Sequence, residues 1–141
     1  MSGRVGQSDA ERALVVAARR AILATISPDG LPRLVPICLV VIDDVIWAPI
    51  DEKPKATDEP LALARVRDIG REPRVTVLVD RWSEDWAELA WVRVAGHATV
   101  APSSPSVVAA LRAKYPQYAS HDLESRPMIR IRIERATSWG L

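Results

Sequence analysis

The sequence predicts a small, closed or partly closed antiparallel β-barrel with short added helices, and three observations carry that expectation. Six stretches alternate or run apolar as strands do, with turn signals between several of them. The 141 residues are one domain's worth, since domains commonly run ~100–200 residues, so residues 1–141 read as a single unit. Six strands with few helices are too many for one flat sheet of this size, and closure removes the exposed edges.

Each element has its own signal. Ser8-Asp9-Ala10-Glu11 has the S-x-x-E form of a capping box, so a helix starts there. Ala13, Leu14, Ala17 and Ala18 give it an apolar stripe, and Arg19 and Arg20 suit its negative end, which places its end near residue 20. From Ala21 the period changes to alternation, and Ser27-Pro28-Asp29-Gly30 is a turn with Pro second and Gly fourth, so a hairpin follows. The returning strand, residues 33–42, is nearly all apolar, as in a strand covered on both faces. Asp43 and Asp44 form the next turn, and residues 45–50 make a third strand whose pairing Pro49 limits.

Residues 51–59 are polar, carry a proline and lack periodicity, which predicts a loop of the kind that often carries function. Pro60 suits a helix's first position; Ala62, Val66 and Ile69 supply the stripe of a short helix that Gly70 and Pro73 close. Residues 74–81 and 89–100 are two strands across an acidic, tryptophan-bearing loop at 82–88, and Gly96 marks a bulge or close backbone approach. A helix at 107–115 and an alternating strand at 128–134 complete the order.

Composition excludes several function classes. With 48% hydrophobic and 26% charged residues, the chain is an ordinary globular one rather than a disordered one. The longest apolar run, residues 34–42, has nine residues with Pro36 inside it, whereas a spanning helix needs roughly 20, so no membrane segment is expected. Arg19 and Arg20 interrupt the only candidate secretion signal. Nineteen basic and 18 acidic residues leave a net charge of +1, so no global field draws the chain to nucleic acid or an anionic membrane, and any anion site must be local. Cys38 is alone, which leaves no internal disulfide and makes a reducing cytoplasm the expected compartment. His97 and His121 have no partnering HxxxH or CxxC, so no metal site is expected. No GxSxG, GxxxxGK[ST] or GxGxxG occurs, which removes the local signatures of serine hydrolases, P-loop proteins and Rossmann folds.

The stretch LATISPDGLPRLVPICLVVIDDVIWAPIDEKPK, followed by LARVRDIGREPRVTVLVDRW and AWVRVAGHATV, resembles the pyridoxamine-phosphate-oxidase-like split β-barrel family. More narrowly, it resembles the actinobacterial flavin/deazaflavin oxidoreductases that use coenzyme F420. The resemblance spans residues 11–139, and its strongest pieces are the LAT-x-x-PDG-x-P hairpin and the REPRVTVLVD passage. It implies a six-stranded antiparallel split barrel of the FMN-binding type, a homodimer, and a cofactor in a groove between subunits. It places the backbone of Val35, Pro36, Ile37 and Cys38 against the ring system, with Pro49 and Ile50 continuing that wall. Phosphate would be held by basic residues between the third strand and the next helix. Relatives often show Lys-x-Arg there; here the triplet is Arg65-Val66-Arg67, and Lys53 and Lys55 precede it. A glutamine that contacts flavin in the vitamin oxidases aligns with Trp91, which argues against the vitamin as substrate.

Read without the resemblance, these residues have plainer alternatives. Residues 51–81 hold seven basic and seven acidic side chains, so solvated ion pairs compete with a phosphate cleft formed by Lys53, Lys55, Arg65 and Arg67. On a regular helix Arg65 and Arg67 stand about 200° apart, too far around to clamp one phosphate together. Cys38 reads as a small buried hydrophobe rather than a nucleophile. Of the five tryptophans, Trp47 and Trp91 read as core, whereas Trp82 and Trp86 read as a substrate mouth or subunit contact. The expected activity is hydride transfer between reduced coenzyme F420 and an unsaturated small molecule, with FMN as the alternative cofactor. A non-catalytic barrel that binds a cofactor or haem is the alternative of another class. The longer basic path favours F420, whose glutamate tail is a polyanion. Because the cofactor carries the reactive centre, no catalytic side chain is assigned.

Overall fold

The structure is a computed structural model and describes residues 4–51 and 59–141. The chain opens with a two-residue strand, β1 (Arg4–Val5), and helix α1 (Asp9–Ala17). The capping box forms as expected: the Ser8 hydroxyl accepts from the Glu11 backbone N–H at 3.1 Å, and the Glu11 carboxylate accepts from the Ser8 N–H at 2.7 Å. The helix stops at Ala17 rather than near residue 20, because Ala18 already takes an extended conformation leading into the first long strand. That strand, β2 (Ala21–Ile26), turns through Ser27 to Gly30 into β3 (Pro32–Ile37). Gly30 takes a left-handed φ of 79° and donates to the Ser27 carbonyl at 2.9 Å, which is why glycine closes the turn.

The single strand expected over 33–42 is two strands, β3 and β4 (Val40–Ile42), separated by Cys38 and Leu39. Nor is it covered on both faces. Leu34 is 65% exposed and Pro36 is exposed, while Ile37 is buried. After the Asp43-Asp44 turn comes β5 (Val45–Pro49). A 3₁₀ turn (Pro60–Ala62) precedes α2 (Ala64–Arg71), so the helix starts later than expected, its buried face is Leu63, Val66 and Ile69, and Gly70 lies inside it. Next are β6 (Arg74–Arg81), a short 3₁₀ turn (Trp86–Glu88) and β7 (Ala90–Ala101). Then come α3 (Pro105–Lys114), a 3₁₀ turn (Pro116–Ser120) and β8 (Met128–Trp139). β8 runs on past Glu134, because its ladder with β7 continues to Trp91 opposite Trp139 although apolar alternation has faded. The register shifts between Ala95 and Gly96, where a Cβ on Gly96 would lie 2.6 Å from the Arg132 carbonyl oxygen; this is the bulge the glycine signalled.

All the pairings within the sheet are antiparallel, in the order β3-β2-β6-β7-β8-β5-β4, with β1 added to β8. The two ends of that order are consecutive pieces of one segment, since β3 pairs only with β2 and β4 only with β5. The sheet therefore curls until its first and last strands are joined through Cys38 and Leu39, and the barrel is split between β3 and β5. Counting β3 and β4 as one interrupted strand gives the expected six, with β1 as the addition.

Two cores result. The barrel interior holds Leu23, Val77, Val92 and Ile131, sealed by Val15 of α1 and Ile69 of α2. A smaller core lies under α3, with Leu111, Tyr115, Tyr118 and Met128 against Val40. Each such aliphatic side chain contributes ~1.5–3 kcal/mol when fully buried.

Candidate functional site

The split is where backbone is left without a ladder partner. Among the described residues β3 bonds to β2 along one edge only, so its other edge can meet a ligand. Val35 is half-buried and Pro36 exposed on this strand, and Cys38 is half-buried where it ends. Ile37, Pro49 and Ile50 are buried, so their side chains belong to the core, and a wall made there is one of backbone.

Beyond Cys38 the split is filled from α3. The Tyr115 hydroxyl accepts from the Leu39 N–H at 3.0 Å, and Lys114 Nζ donates to the Leu39 carbonyl at 2.8 Å and to Val16 at 3.2 Å. Burial, aided by Arg19, pushes the Lys114 ammonium down to about 8, with Cys38 pulling the other way. Cys38 adjoins the hydroxyls of both Tyr115 and Tyr118, whose rings meet edge-on at 5.5 Å between centroids.

At the end of β5 stands Asp51, only 4% exposed. The Tyr118 hydroxyl donates to its carboxylate at 2.5 Å, and burial together with this bond raises the tyrosine's pKa well above its ordinary value. Arg126 fastens the same corner, donating through Nε to the Ile50 carbonyl at 2.6 Å and through a terminal nitrogen to the Asp51 carbonyl at 3.1 Å. Arg65, in the first turn of α2, is near enough to feel the charge of this carboxylate. Burial pushes its guanidinium down from the ordinary value, and Asp51 pushes it back up.

Arg65 Nε is sealed from solvent and has no hydrogen-bond partner among the described residues. Buried donors are nearly always bonded, so this orphan marks a place where an acceptor fits. The helix start around it adds to the effect. Leu63 at the N-cap supplies no side-chain acceptor, and the positive end of the helix dipole favours an anion. The residues present therefore fit a phosphate-bearing planar cofactor, with β3 backbone for the ring and the start of α2 for the anion.

Of the two cations singled out in the sequence that lie among the described residues, the structure brings Arg65 to this corner. Arg67 is exposed, about 200° further round α2, as the helical spacing required. Lys53 and Lys55 lie outside the described residues. Sequence reasoning missed Tyr118, Asp51, Tyr115 and Arg126. A tyrosine spaced three residues from another after a helix was the available signal, but it carries no information about a partner more than sixty residues away.

A second buried acid sits on α2 itself. Asp68 is 1% exposed and accepts from Thr25 Oγ1 at 2.8 Å, Arg33 Nε at 2.7 Å and Arg71 at 3.3 Å, tying α2 to the β2–β3 hairpin. Burial alone would push its carboxyl up, but these three donors outweigh it and hold the carboxyl below its ordinary value.

The far end of β6 and β7 carries the tryptophans. Trp82 and Trp86 are 66% and 71% exposed in the acidic loop, and an open groove of about 430 Å³ runs past Trp82, Leu89, Trp91 and Trp139. Trp91 is half-buried with the Arg93 guanidinium over its ring at 5.3 Å, so it is not the core residue expected. Trp47 is half-buried against the small core, beneath Arg130.

Comparison with known proteins bears on this geometry. The family model described as pyridoxamine 5'-phosphate oxidase matches residues 8–140. A conserved hypothetical protein from Mycobacterium tuberculosis shares 26% identity and a TM-score of 0.74, over 99% of this chain and 89% of that one. An F420 reductase shares 14% identity and a TM-score of 0.70, over 96% of this chain and 100% of the other. A FAD-binding protein from Mesorhizobium loti shares 21% identity and a TM-score of 0.65, over 98% and 96%. No protein of curated function matches the chain. Among the described residues, no helix is long and apolar enough to cross a membrane.

Proposed function

Because this chain belongs to the pyridoxamine 5'-phosphate oxidase family, whose fold is a flavin-binding split barrel, we propose that it is an oxidoreductase that uses coenzyme F420 to reduce an unsaturated small molecule. The observation that carries the cofactor site is the orphaned Nε of Arg65 at the uncapped start of α2, beside the unpaired edge of β3. Arg65 and the first turn of α2 would hold the phosphate, and Lys53 and Lys55 would extend the basic path toward an acidic tail. The backbone of Val35, Pro36, Ile37 and Cys38 would lie along the ring, continued by Pro49 and Ile50. When bound, the deazaflavin supplies the hydride; this chain's residues bind it, orient it and exclude water from it. The tail of F420 favours it over FMN, because a single phosphate needs a shorter basic path; an F420 reductase shares the fold.

The site also calls for a second copy of the chain. One barrel covers a single side of a planar ligand, whereas small-molecule sites bury ~70–90% of a ligand's surface. The outer face of β3, β2 and β6 exposes Leu34, Pro36, Ile26 and Leu78, an apolar stretch suited to a homodimer seam. Light scattering of the cofactor-bound protein should report twice 15.5 kDa; a monomer would overturn this part of the proposal.

Titration of the purified protein with F420 and with FMN tests the whole reading. F420 should bind, more weakly as salt rises over the range where the Debye length shrinks from ~30 to ~8 Å, and with a steeper salt dependence than a tail-truncated analogue. Protein that purifies yellow with FMN and shows no F420 binding at low salt assigns the site to flavin instead. Unchanged binding in Lys53→Glu, Lys55→Glu and Arg65→Glu alike would remove the phosphate site.

A further inference from the structure

The far end of the sheet carries a groove that the proposed cofactor corner does not use. Asp80 on β6, Trp91 on β7 and Trp139 on β8 stand directly opposite one another, so they form a single cross-strand row on one face. Trp82 follows Asp80 by two residues and lines the same groove of about 430 Å³. Its indole N–H donates to the Glu84 carboxylate at 3.2 Å, which orients the ring. Gly140, with a φ of 83°, brings the end of β8 so close to the loop that a Cβ there would overlap the Leu89 carbonyl. Two of the three indoles stay open to solvent, Trp82 at 66% and Trp139 at 50% exposure.

The charge around these rings is negative on balance. Residues 80–93 hold four acids, Asp80, Glu84, Asp85 and Glu88, against two cations, Arg81 and Arg93. Arg81 Nε donates to the Glu88 carbonyl at 2.7 Å, and the Arg93 guanidinium lies over the Trp91 ring at 5.3 Å. The Asp80 carboxylate is exposed and, among the described residues, accepts no hydrogen bond and joins no ion pair. Arg93 shows what these rings attract, since the face of an indole draws a cation. A second copy docked here about a twofold axis would bring the same four acids against these, and like charges set face to face oppose association.

We propose that this groove binds a planar organic cation, with its ring against Trp82 and Trp139 and its positive charge beside Asp80. The indoles supply apolar area and negative ring faces, and the unpaired carboxylate supplies the sign preference. The site is separate from the corner at Arg65. Trp91 lies at the start of β7, whereas Asp51 follows β5 at the level of Met128 and Ala101, the other end of that strand. The cation site therefore holds whether or not F420 binds.

Calorimetric titration of the full chain, at low salt and neutral pH, with probes of one ring size tests this: N-methylquinolinium, neutral quinoline and naphthalene-2-sulfonate. The cation should bind about fivefold or more tightly than quinoline, and the sulfonate most weakly. Asp80→Asn should weaken the cation by about threefold, the scale of an exposed ion pair, and leave quinoline unchanged. Trp139→Ala should weaken both, because each stacks on the same ring. Both positions are exposed, so the variants should keep the melting temperature of the unaltered protein within a few degrees. Quinoline binding as tightly as the cation, a preference for the sulfonate, or a cation affinity that Asp80→Asn leaves intact would overturn the proposal. Absence of binding by every probe overturns it as well. If light scattering shows instead that Trp139→Ala splits an assembly of the unaltered protein that no probe enters, the groove is a seam between copies and the cation site is overturned.

Discussion

Two buried acids face arginines in this barrel, and their surroundings differ. Asp68 is saturated: a hydroxyl and two guanidiniums converge on its carboxylate, and they come from β2, β3 and α2. Asp51 takes a tyrosine hydroxyl, while the guanidinium nearest its charge keeps an unbonded Nε. The first arrangement closes a structural joint, because the buried carboxylate finds three donors inside the protein. The second leaves one donor unmet, and a buried unmet donor costs stability unless something outside completes it. The contrast separates a joint that holds the fold from a corner that is ready for a ligand.

The largest effect that would test this contrast belongs to the joint. Asp68→Ala removes the acceptor for all three donors and leaves the Thr25 hydroxyl buried without its partner. Breaking buried pairs costs ~3–5 kcal/mol, and the guanidiniums here retain some access to water, so a loss of ~2–3 kcal/mol is expected. Denaturant unfolding would measure it, and a change below ~0.5 kcal/mol would erase the distinction. The same joint sets an acid limit. The Asp68 carboxyl is held below its ordinary value in the folded state, so its stabilisation is fully present above the unfolded value of ~3.9 and is lost as pH falls through the folded one. The melting temperature of the unaltered protein should therefore fall more steeply than that of Asp68→Asn on going from about pH 5 downward.

The corner should respond in the opposite way. Arg65→Ala should weaken cofactor binding by at least about tenfold, the scale of a charge-assisted contact. Because it deletes an unbonded buried donor, it should leave unfolding free energy within roughly 0.5 kcal/mol or raise it. A stability loss as large as that at Asp68 would show that Arg65 is structural. Arg67→Ala, on the exposed side of the same helix, should change stability by no more than roughly 0.5 kcal/mol and affinity by less than Arg65→Ala. Equal effects at the two positions would mean that the anion site is diffuse charge rather than a built corner.

Much of the frame was legible in the chain. Ser8 and Glu11 form a cap by contacts three residues apart, Gly30 closes a four-residue turn, and the alternation of Val75, Val77 and Val79 marks a strand with one face inside. These signals are local, so the sequence displays them. The apolar run at 33–42 misled because hydrophobicity on both sides of a strand does not say what covers each side. Ile37 meets the barrel core, whereas Leu34 faces outward uncovered by this chain. Of the stripe expected on α2, Val66 and Ile69 are buried as expected, and Leu63 replaces Ala62 because residues 60–62 form a 3₁₀ turn ahead of the helix.

The site was legible only in part. Arg65 stood out as a cation near a predicted phosphate region, and its spacing already separated it from Arg67. Nothing in the order of residues, however, joins Tyr118 to Asp51, or Arg126 to the end of β5. By itself the sequence determined the strands, the turns, the capped helix and the family to which they belong, since these depend on short-range stereochemistry and on which side chains avoid water. The tertiary structure decided that the ends of the sheet are one segment interrupted at Cys38 and Leu39, and that one buried acid gathers a hydroxyl and two guanidiniums while another meets a tyrosine hydroxyl. Those outcomes depend on distances between residues far apart in the chain, which closure of the barrel fixes and local pattern does not encode.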